Sequence, residues 1–255
     1  MVQQVNTGNA KNDSACPGGQ DAGEKKAIAE LTEKIAFLQK KLQIVGSVTR
    51  HDVLNQLTAI VGYNELLGMM ASDPKFKSFL EKERFALTKI RRQFQFAKDY
   101  QNIAVDPPRW QNLRNLTGRV SEDFDTSRVK IVAETGAASV LADPLLDRVF
   151  HHLFENAMLY GETVTEIRVS VRGHGTSAVL IVENDGTSIP DADKEKIFER
   201  GYGRGTGWGL FLAREILAVT GLTIREAGEQ GKGVRFEISL PPGSFRMNGE
   251  EPAAP

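Results

Sequence analysis

The sequence predicts a multidomain chain with a helical first part, up to residue 104, and an α+β two-layer sandwich over residues 105–242. The helices are predicted by apolar residues that recur every three or four positions. The sandwich is predicted by short alternating segments that occur in blocks with helices, without strict βαβ order. With 255 residues, of which 40% are hydrophobic, the chain is long enough to build two cores.

The composition limits the classes of function. A net charge of −1 gives no basic field of the kind that binds nucleic acid, and no apolar stretch reaches the length of a membrane span. The single cysteine, Cys16, cannot form an internal disulfide, and the first residues lack the apolar core of a secretion signal. These features predict a cytoplasmic protein without a membrane segment.

The first 46 residues are predicted to form two segments. Residues 1–24 carry almost no large apolar side chains and are predicted to be disordered. Over residues 25–46, apolar residues alternate in steps of three and four, as in the seam of a coiled coil. They are Ile28, Leu31, Ile35, Leu38, Leu42 and Val45. The charged residues around this seam favour a parallel homodimer, and the alternative is a single amphipathic helix packed on its own domain.

Residues 47–104 are predicted to form a helical hairpin. The apolar stripe continues to Met70, is interrupted by Ala71–Pro74, and resumes between Phe76 and Tyr100. One hairpin cannot bury both of its stripes, but two hairpins related by the coiled-coil axis would close a dimeric four-helix bundle. The Val-Asp-Pro-Pro segment at residues 105–108 predicts a stiff linker to the second part.

The second part is predicted to mix strands and helices. Strands are expected at residues 129–133, 139–142, 166–171, 178–183, 222–226 and 234–240. Asp143 and Pro144 are typical of a helix start, and the helix that follows carries His152, Asn156 and Tyr160 along one edge of its apolar stripe. The amide oxygen of Asn156 is a suitable neutral ligand for Mg²⁺ beside substrate phosphates. Residues 243–255 contain nothing that would pack and are predicted to be disordered.

Three alternating glycines precede a helix predicted over residues 208–220; they are Gly205, Gly207 and Gly209. The free N–H groups at a helix start and the absence of Cβ atoms favour an anion such as phosphate. A charged helical turn, Lys194–Arg200, lies where a dinucleotide-binding fold would have a strand, which argues against that fold.

A second polar turn follows the strand expected at residues 178–183. Asn184 and Asp185 offer side-chain acceptors, and Gly186 would allow a flat ring to approach. Many turns of this composition are only turns, so the significance of this one depends on its place between the asparagine-bearing helix and the glycine-rich loop.

The order of these segments resembles the ATP-binding domain of the sensor histidine kinases, which has a Bergerat-type fold. Leu153–Ala157 resembles the N box, Asn184–Ser188 the first glycine box, Ile197–Phe198 the F box and Gly205–Gly209 the second glycine box. In the hairpin, Arg50–Thr58 is similar to the phosphoacceptor motif of the same family. The resemblance covers about residues 47–242, and the joint occurrence of its motifs is far more specific than any one of them.

The resemblance implies an ATP- and Mg²⁺-dependent autokinase that passes its phosphoryl group to the receiver domain of a response regulator. It implies that His51 accepts the phosphoryl group, that Asp52 holds the other ring nitrogen, and that Asn55 orients a hydrolytic water. Asn156 would ligate Mg²⁺. The residues implied to bind the nucleotide are Asn156, Tyr160, Asn184, Asp185, Gly186, Arg204, Gly205, Gly207, Gly209 and Leu210.

Several residues depart from the pattern of the family. Asn184 is in register with an aspartate of the family, which accepts a hydrogen bond from the adenine amino group. Arg204 ends a short lid at residues 201–204. His152, Leu159, Ser188 and Gln56 replace an asparagine, a lysine, a glycine and a proline. His152 and Leu159 leave open the alternative of a catalytically weak nucleotide-binding scaffold, and Asn55 leaves open a protein dominated by phosphatase activity. A zinc site at the two adjacent histidines is not expected, because their side chains should point about 100° apart.

Overall fold

The computed structural model describes residues 18–174, 177–203, 205 and 207–247. Residues 1–17 of the predicted disordered segment, Arg204 and the end of the predicted tail lie outside them. The chain divides into two units, Met1–Thr49 and Arg50–Pro255. Within the described ranges, no helix combines the length and the apolar character that crossing a bilayer requires.

Helix α1 spans Gly18–Met70, so its first residues lie inside the segment predicted to be disordered. In the first unit, the six apolar residues of the predicted seam are between 48% and 68% exposed in the single chain. Such a row loses its contact with water only against another helix, so the exposure fits the predicted coiled coil. The coiled coil itself stays a prediction.

The helical hairpin of the second unit is closed by helix α2, which spans Pro74–Asn102. Asp73 caps α2 by accepting a hydrogen bond from the backbone N–H of Lys75 at 2.8 Å, and proline occupies the first turn. The buried apolar residues of the hairpin are Leu57, Leu80 and Leu87. Many other large apolar side chains remain exposed, among them Ile60, Phe79 and Ile90. A second hairpin would cover this surface in the predicted four-helix bundle, which stays a prediction.

The α+β sandwich contains two sheets. The larger sheet has the order β2-β4-β5-β7-β6, in which only the β2–β4 pair is parallel. Its strands are β2 (Lys130–Glu134), β4 (Glu166–His174), β5 (Ser177–Asn184), β6 (Thr223–Glu226) and β7 (Val234–Leu240). The smaller sheet has the order β1-β3-β8, with β1 at Arg109–Asn112, β3 at Ser139–Ala142 and β8 at Phe245–Arg246.

The helices of the sandwich are α3 (Leu113–Ser121), α4 (Leu146–Tyr160) and α5 (Gly209–Ala218). Their apolar faces share one core with the large sheet, and Phe150, Phe154 and Ile167 lie at its centre with no exposed surface. Truncating a buried phenylalanine of this kind costs about 3–5 kcal/mol. The predicted fold class, helices followed by an α/β two-layer sandwich, is confirmed.

Three local features differ from the sequence prediction. The segment predicted as a helical turn at Lys194–Arg200 forms a short 3-10 turn, Lys196–Phe198, because the backbone becomes extended at Glu199, and another 3-10 turn, Asp191–Asp193, precedes it. Residues 243–247 do not lie outside the sandwich, since β8 pairs with β3. Helix α4 begins at Leu146, and the carboxylate of Asp143 instead accepts hydrogen bonds from the N–H groups of Leu145 and Ala104, both at 2.9 Å.

Candidate functional site

A cavity of about 540 Å³ opens between α4, the 3-10 turns, the glycine-rich loop and α2. This volume lies within the range of small-molecule sites, about 300–1,000 Å³. Of the residues that the sequence predicts to bind a nucleotide, six line it: Asn156, Tyr160, Asn184, Gly207, Gly209 and Leu210. Gly205 lies beside it, because a Cβ atom there would come within 2.6 Å of the Tyr160 hydroxyl. Arg204 lies outside the described residues.

The glycine-rich loop runs along α4 in the opposite direction. Gly205 lies at Tyr160, and Gly209 lies at His152, where a Cβ atom would be 3.1 Å from the ring nitrogen Nδ1. These two points are eight residues apart on α4, or about 12 Å at 1.5 Å per residue. Asn156 lies midway between them on the helix, so the loop and α4 enclose an elongated space with an amide in its centre.

The two ends of the cavity differ in chemistry. At the end near Asn184, the lining includes Ile189, Val234 and Phe236, and Val234 is the cross-strand neighbour of Asn184. At the other end, α5 begins at Gly209, where none of the described side chains caps the helix, so its first N–H groups can bind a ligand. A flat apolar group fits the first end, and an anion fits the second.

The backbone of the glycine-rich loop is held by its own hydrogen bond, from Gly201 N–H to the carbonyl of Gly207 at 2.9 Å. Gly207 has a φ of +66°, and a Cβ atom there would lie 2.7 Å from the nitrogen of Tyr202. Tyr202 in turn donates its hydroxyl to Asp193 at 2.6 Å, which raises the pKa of Tyr202. The lid predicted at residues 201–204 is therefore tied to the first 3-10 turn.

The polar turn after β5 contributes one of its three predicted residues to the cavity. Asn184 lines it, and its Oδ1 accepts a hydrogen bond from Gly186 N–H at 3.0 Å. Asp185 does not, because its carboxylate accepts from the N–H groups of Thr165 and Glu166 at 2.8 and 3.1 Å and from the Thr165 hydroxyl. Burial alone would raise the pKa of Asp185, but these hydrogen bonds outweigh it and lower the pKa.

Gly186 also has a different role from the one predicted. A Cβ atom at this position would clash with the carbonyl oxygen of Gly161 and with the side chain of Val164. The glycine is therefore required for packing of the turn against the end of α4, and it does not line the cavity. Ser188, which replaces a glycine of the family pattern, accepts a hydrogen bond from Gly231 N–H at 2.9 Å.

Polar atoms at the centre of the cavity lack partners. Among the described residues, the buried atoms Asn156 Nδ2 and His152 Nε2 have no hydrogen-bond partner. Buried polar atoms are nearly always paired, so a ligand or water that entered the cavity would find two hydrogen-bonding atoms here. Next to them, Glu155 forms an ion pair with Arg92 at 3.1 Å, and the imidazole of His152, whose Nδ1 is 3.8 Å from the Glu155 carboxylate, lowers the pKa of Glu155.

The adjacent histidines are closer than the helical geometry predicts. Ligand atoms of His151, His152 and Glu155 all lie within 4.8 Å of one another. The expectation that the two rings point too far apart to share an ion is therefore wrong. Desolvation, together with the neighbouring His152, lowers the pKa of His151.

Helix α2 forms one wall of the cavity, which the sequence did not predict. Phe96 of α2 lies 4.5 Å from Trp208 and 6.4 Å from Phe211 between ring centroids, and Tyr100 lies 6.3 Å from Phe211. The Arg92–Glu155 ion pair also joins α2 to α4. Phe96 and Tyr100 are four residues apart and therefore lie on the same face of α2. This aromatic pair is the feature of the sequence from which the wall could have been predicted.

The predicted phosphoacceptor lies on the exposed surface of α1. The side chain of His51 is 74% exposed, and its Nδ1 is 3.3 Å from an Asp52 carboxylate oxygen. The amide nitrogen of Asn55, one helical turn later, is 3.3 Å from Nδ1 and 3.4 Å from Nε2. The structure therefore brings His51, Asp52 and Asn55 together on an exposed surface of α1.

The chain is similar in sequence to known sensor proteins. The chain is 30% identical over 247 residues to the sensor protein SrrB of Staphylococcus aureus and 25% identical over 244 residues to the alginate biosynthesis sensor protein KinB of Pseudomonas aeruginosa. Residues 142–244 match the family described as histidine kinase-, DNA gyrase B-, and HSP90-like ATPase. The chain carries a histidine kinase catalytic core. The ATP-binding domain of this core contains α4, the Asn184 turn, the glycine-rich loop and α5.

The core covers part of the length of its relatives. The matches include 88% of this chain, but the chain spans only 42% of SrrB and 41% of KinB. Among solved structures, full-length ShkA in complex with AMPPNP has a TM-score of 0.55 and 18% identity, with coverage of 78% of this chain and 46% of that chain. That likeness supports the fold of the core.

Proposed function

We propose that this chain is an ATP-dependent autokinase that phosphorylates His51 and transfers the phosphoryl group to an aspartate of a response-regulator receiver domain. The observation that carries the proposal is the elongated cavity of the ATP-binding domain, which has an apolar end, a free helix N-terminus at the other end and orphaned polar atoms between. An exposed histidine held between a carboxylate and an amide, in the same chain, supplies the acceptor.

The nucleotide is proposed to lie along α4. Its base would occupy the apolar end beside Asn184, and its phosphates would extend toward the first N–H groups of α5 near Gly209 and Leu210. The distance of about 12 Å along α4 leaves room for a triphosphate to extend beside the helix. Backbone N–H groups at a helix start bind phosphate through hydrogen bonds and the helix dipole. Tyr160 would pack beside the nucleotide.

Mg²⁺ is proposed to bind at Asn156. The residues fit the ion, because the Asn156 side chain lines the cavity and an amide offers one neutral oxygen; the orphaned atom is Nδ2, and a half-turn of the amide exchanges it with the oxygen. Mg²⁺ commonly takes only one or two protein ligands and completes its coordination with phosphates and waters. When bound, the ion neutralises negative charge on the phosphates. The Arg92–Glu155 pair holds the neighbouring carboxylate away from that role.

The chemistry of His51 follows from its contacts. If Asp52 accepts the Nδ1–H hydrogen, the lone pair lies on Nε2, which is the nitrogen that attacks the γ-phosphorus. A P–N bond forms, the bond from the γ-phosphorus to the β,γ-bridging oxygen breaks, and ADP leaves. Asp52 also stabilises the positive charge that develops on the ring. Most of the remaining catalysis is positioning and charge neutralisation.

The exposed apolar surfaces of the seam and of the hairpin support a homodimer. In such a dimer, the hairpins of two chains would form the four-helix bundle on which His51 is displayed. The ATP-binding domain would reach a histidine by moving on the linker at residues 105–108, which requires release of the contacts with α2.

The proposal is tested by incubating the chain with Mg²⁺ and γ-labelled ATP. Acid-labile label is expected on the wild-type chain and absent from His51→Gln. Asp52→Asn should slow labelling without abolishing nucleotide binding, because Asp52 lies outside the cavity. Nucleotide binding without any label would instead support the scaffold alternative. This alternative is suggested by Leu159, which is exposed and replaces a lysine of the family pattern.

A second activity, dephosphorylation of the receiver, is favoured by the contact of Asn55 with the ring of His51. An amide one turn beyond the histidine is placed to orient a water on an incoming aspartyl phosphate. The decay of a phosphorylated receiver would be compared with the wild-type chain and with Asn55→Ala. Equal decay in both would remove this activity.

A further inference from the structure

We propose that His151, His152 and Glu155 of α4 form a binding site for a transition-metal dication such as Zn²⁺. The site uses other residues than the proposed Mg²⁺ ligand Asn156, and it does not depend on the proposed kinase activity. It follows from three side chains on one turn of α4 and from an arginine of α2 that holds one of them.

The three side chains offer metal ligands at a suitable spacing. Glu155 lies three residues after His152 and four after His151, so both histidines are its neighbours on the helix surface. The candidate ligand atoms of the three residues lie within 4.8 Å of one another. His152 Nδ1 is 3.8 Å from Glu155 Oε2, which is too long for a normal hydrogen bond. Ligand atoms of a tetrahedral zinc ion lie about 3.3 Å apart, because each is about 2.0–2.1 Å from the ion, so small side-chain rotations would close the site.

The two oxygens of the Glu155 carboxylate have different surroundings. Oε1 accepts a hydrogen bond from Arg92 of α2 at 3.1 Å, whereas Oε2 is the oxygen 3.8 Å from His152. Metal-bound carboxylates are commonly held by an outer hydrogen bond of this kind, which fixes their orientation. Arg92 therefore leaves Oε2 available on the side of the histidines. Arg148, whose charge also acts on His151, is paired with the buried Asp99 at 3.8 Å.

An ion could reach these residues through the cavity. All three are half-buried and line it, so a water molecule could fill the coordination position that they leave open. Two histidines and one glutamate with an open fourth position are a known ligand set of Zn²⁺. Among the described residues, none forms a hydrogen bond with the buried Nε2 of His152, so no such bond opposes a rotation of this ring toward the ion.

The ligand types select the kind of ion. Imidazole nitrogens suit Zn²⁺, Cu²⁺ and Ni²⁺, whereas Mg²⁺ prefers oxygen ligands and gives up its waters reluctantly. Zn²⁺ is therefore expected to bind to His151, His152 and Glu155 even when Mg²⁺ is present in excess.

The test measures Zn²⁺ binding to the nucleotide-free full chain by calorimetry, with excess Mg²⁺ in the buffer. The parent chain carries no histidine tag and has Cys16→Ser and His51→Gln, which remove two competing zinc ligands. We expect one Zn²⁺ per chain, with imidazole nitrogen and carboxylate oxygen at about 2.0–2.2 Å in its X-ray absorption spectrum. The loss of an outer partner alone weakens metal binding by about 10- to 100-fold, so Glu155→Gln and His152→Gln should each weaken it by about tenfold or more.

The matched control is His174→Gln, which removes the histidine of β4 and should leave the Zn²⁺ affinity of the parent chain unchanged. A parent chain that binds no Zn²⁺ would overturn the inference, as would an affinity that is the same in Glu155→Gln and His152→Gln as in the parent. A bound Zn²⁺ whose X-ray absorption spectrum shows no imidazole ligand would also overturn it, and this measurement needs no variant on α4.

Discussion

Replacing Phe96 with alanine tests whether the contact between α2 and the ATP-binding domain restrains the proposed kinase. Phe96 reaches across this boundary to Trp208 and Phe211. Because the proposed transfer requires the domain to leave α2, the aromatic contact stabilises a resting arrangement. Phe96→Ala should therefore raise the rate of autophosphorylation at saturating ATP.

The magnitude follows from the two ring pairs between α2 and the ATP-binding domain that Phe96→Ala removes, at centroid distances of 4.5 and 6.4 Å. An aromatic pair contributes about 0.5–1.5 kcal/mol beyond its buried area. Two pairs therefore contribute about 1–3 kcal/mol, which corresponds to a shift of about 5- to 150-fold in the equilibrium between docked and released domain. The Arg92–Glu155 pair remains and adds little, because Arg92 is substantially exposed.

The assay has two readouts. The initial rate of label incorporation into His51 reports the kinase step, and the emission of Trp208, in a Trp110→Phe background, reports whether the indole becomes more exposed to water. Phe85→Ala is the matched control, because Phe85 lies on the same helix, is 62% exposed and has its ring against Lys89. Unchanged rate and emission in Phe96→Ala would refute the restraint. A rate that falls in proportion to ATP affinity would assign Phe96 to the nucleotide site instead.

Two further changes test the turns that shape the cavity. Asp185→Asn should lower the melting temperature at neutral pH, because the carboxylate accepts three hydrogen bonds that involve Thr165 and its neighbour. Because the pKa of Asp185 is lowered in the folded chain, this stabilisation is complete above the ordinary carboxyl pKa of about 3.9 and is lost as the pH falls below it. The melting temperatures of the wild-type chain and of Asp185→Asn should therefore converge in acid. Gly207→Ala should weaken ATP binding, since its Cβ atom would press on the backbone of Gly201. Gly221→Ala is the control, because Gly221 has a similar positive φ but a Cβ atom there would meet no other atom. The control should cost only about 1–2 kcal/mol of stability. Equal ATP affinity in the two glycine variants would contradict the assigned role of the loop.

The sequence predicted the elements whose patterns are local. The strands at residues 139–142 and 234–240 have the predicted bounds, because alternating apolar residues between turn residues determine both. The break at Asp73 and Pro74 is also local, since capping and proline chemistry act within one turn. β8 was missed because two residues carry no periodicity and gain their structure only from pairing with β3.

The residues of the candidate site also fall into two groups, those with a local sequence pattern and those whose roles depend on long-range contacts. The motif order placed Asn156, Asn184 and Gly207 on one cavity, because each belongs to a turn or helix edge with a recognisable composition. The orientation of Asp185 toward Thr165 was not predictable, since it depends on a strand start about twenty residues earlier in the chain. The requirement for Gly186 depends on the approach of Gly161, and the wall formed by Phe96 depends on the docking of α2. Such long-range contacts leave little local signal in a single sequence.

The most direct test of the central claim is phosphoryl transfer itself. The chain would be incubated with γ-labelled ATP and Mg²⁺, and the label would be located by digestion and mass spectrometry under alkaline conditions that preserve phosphohistidine. We predict one modified residue, His51, with no label on His51→Gln and no label when EDTA removes Mg²⁺. Label that persists on His51→Gln, or a chain that binds ATP and never labels His51, would contradict the account.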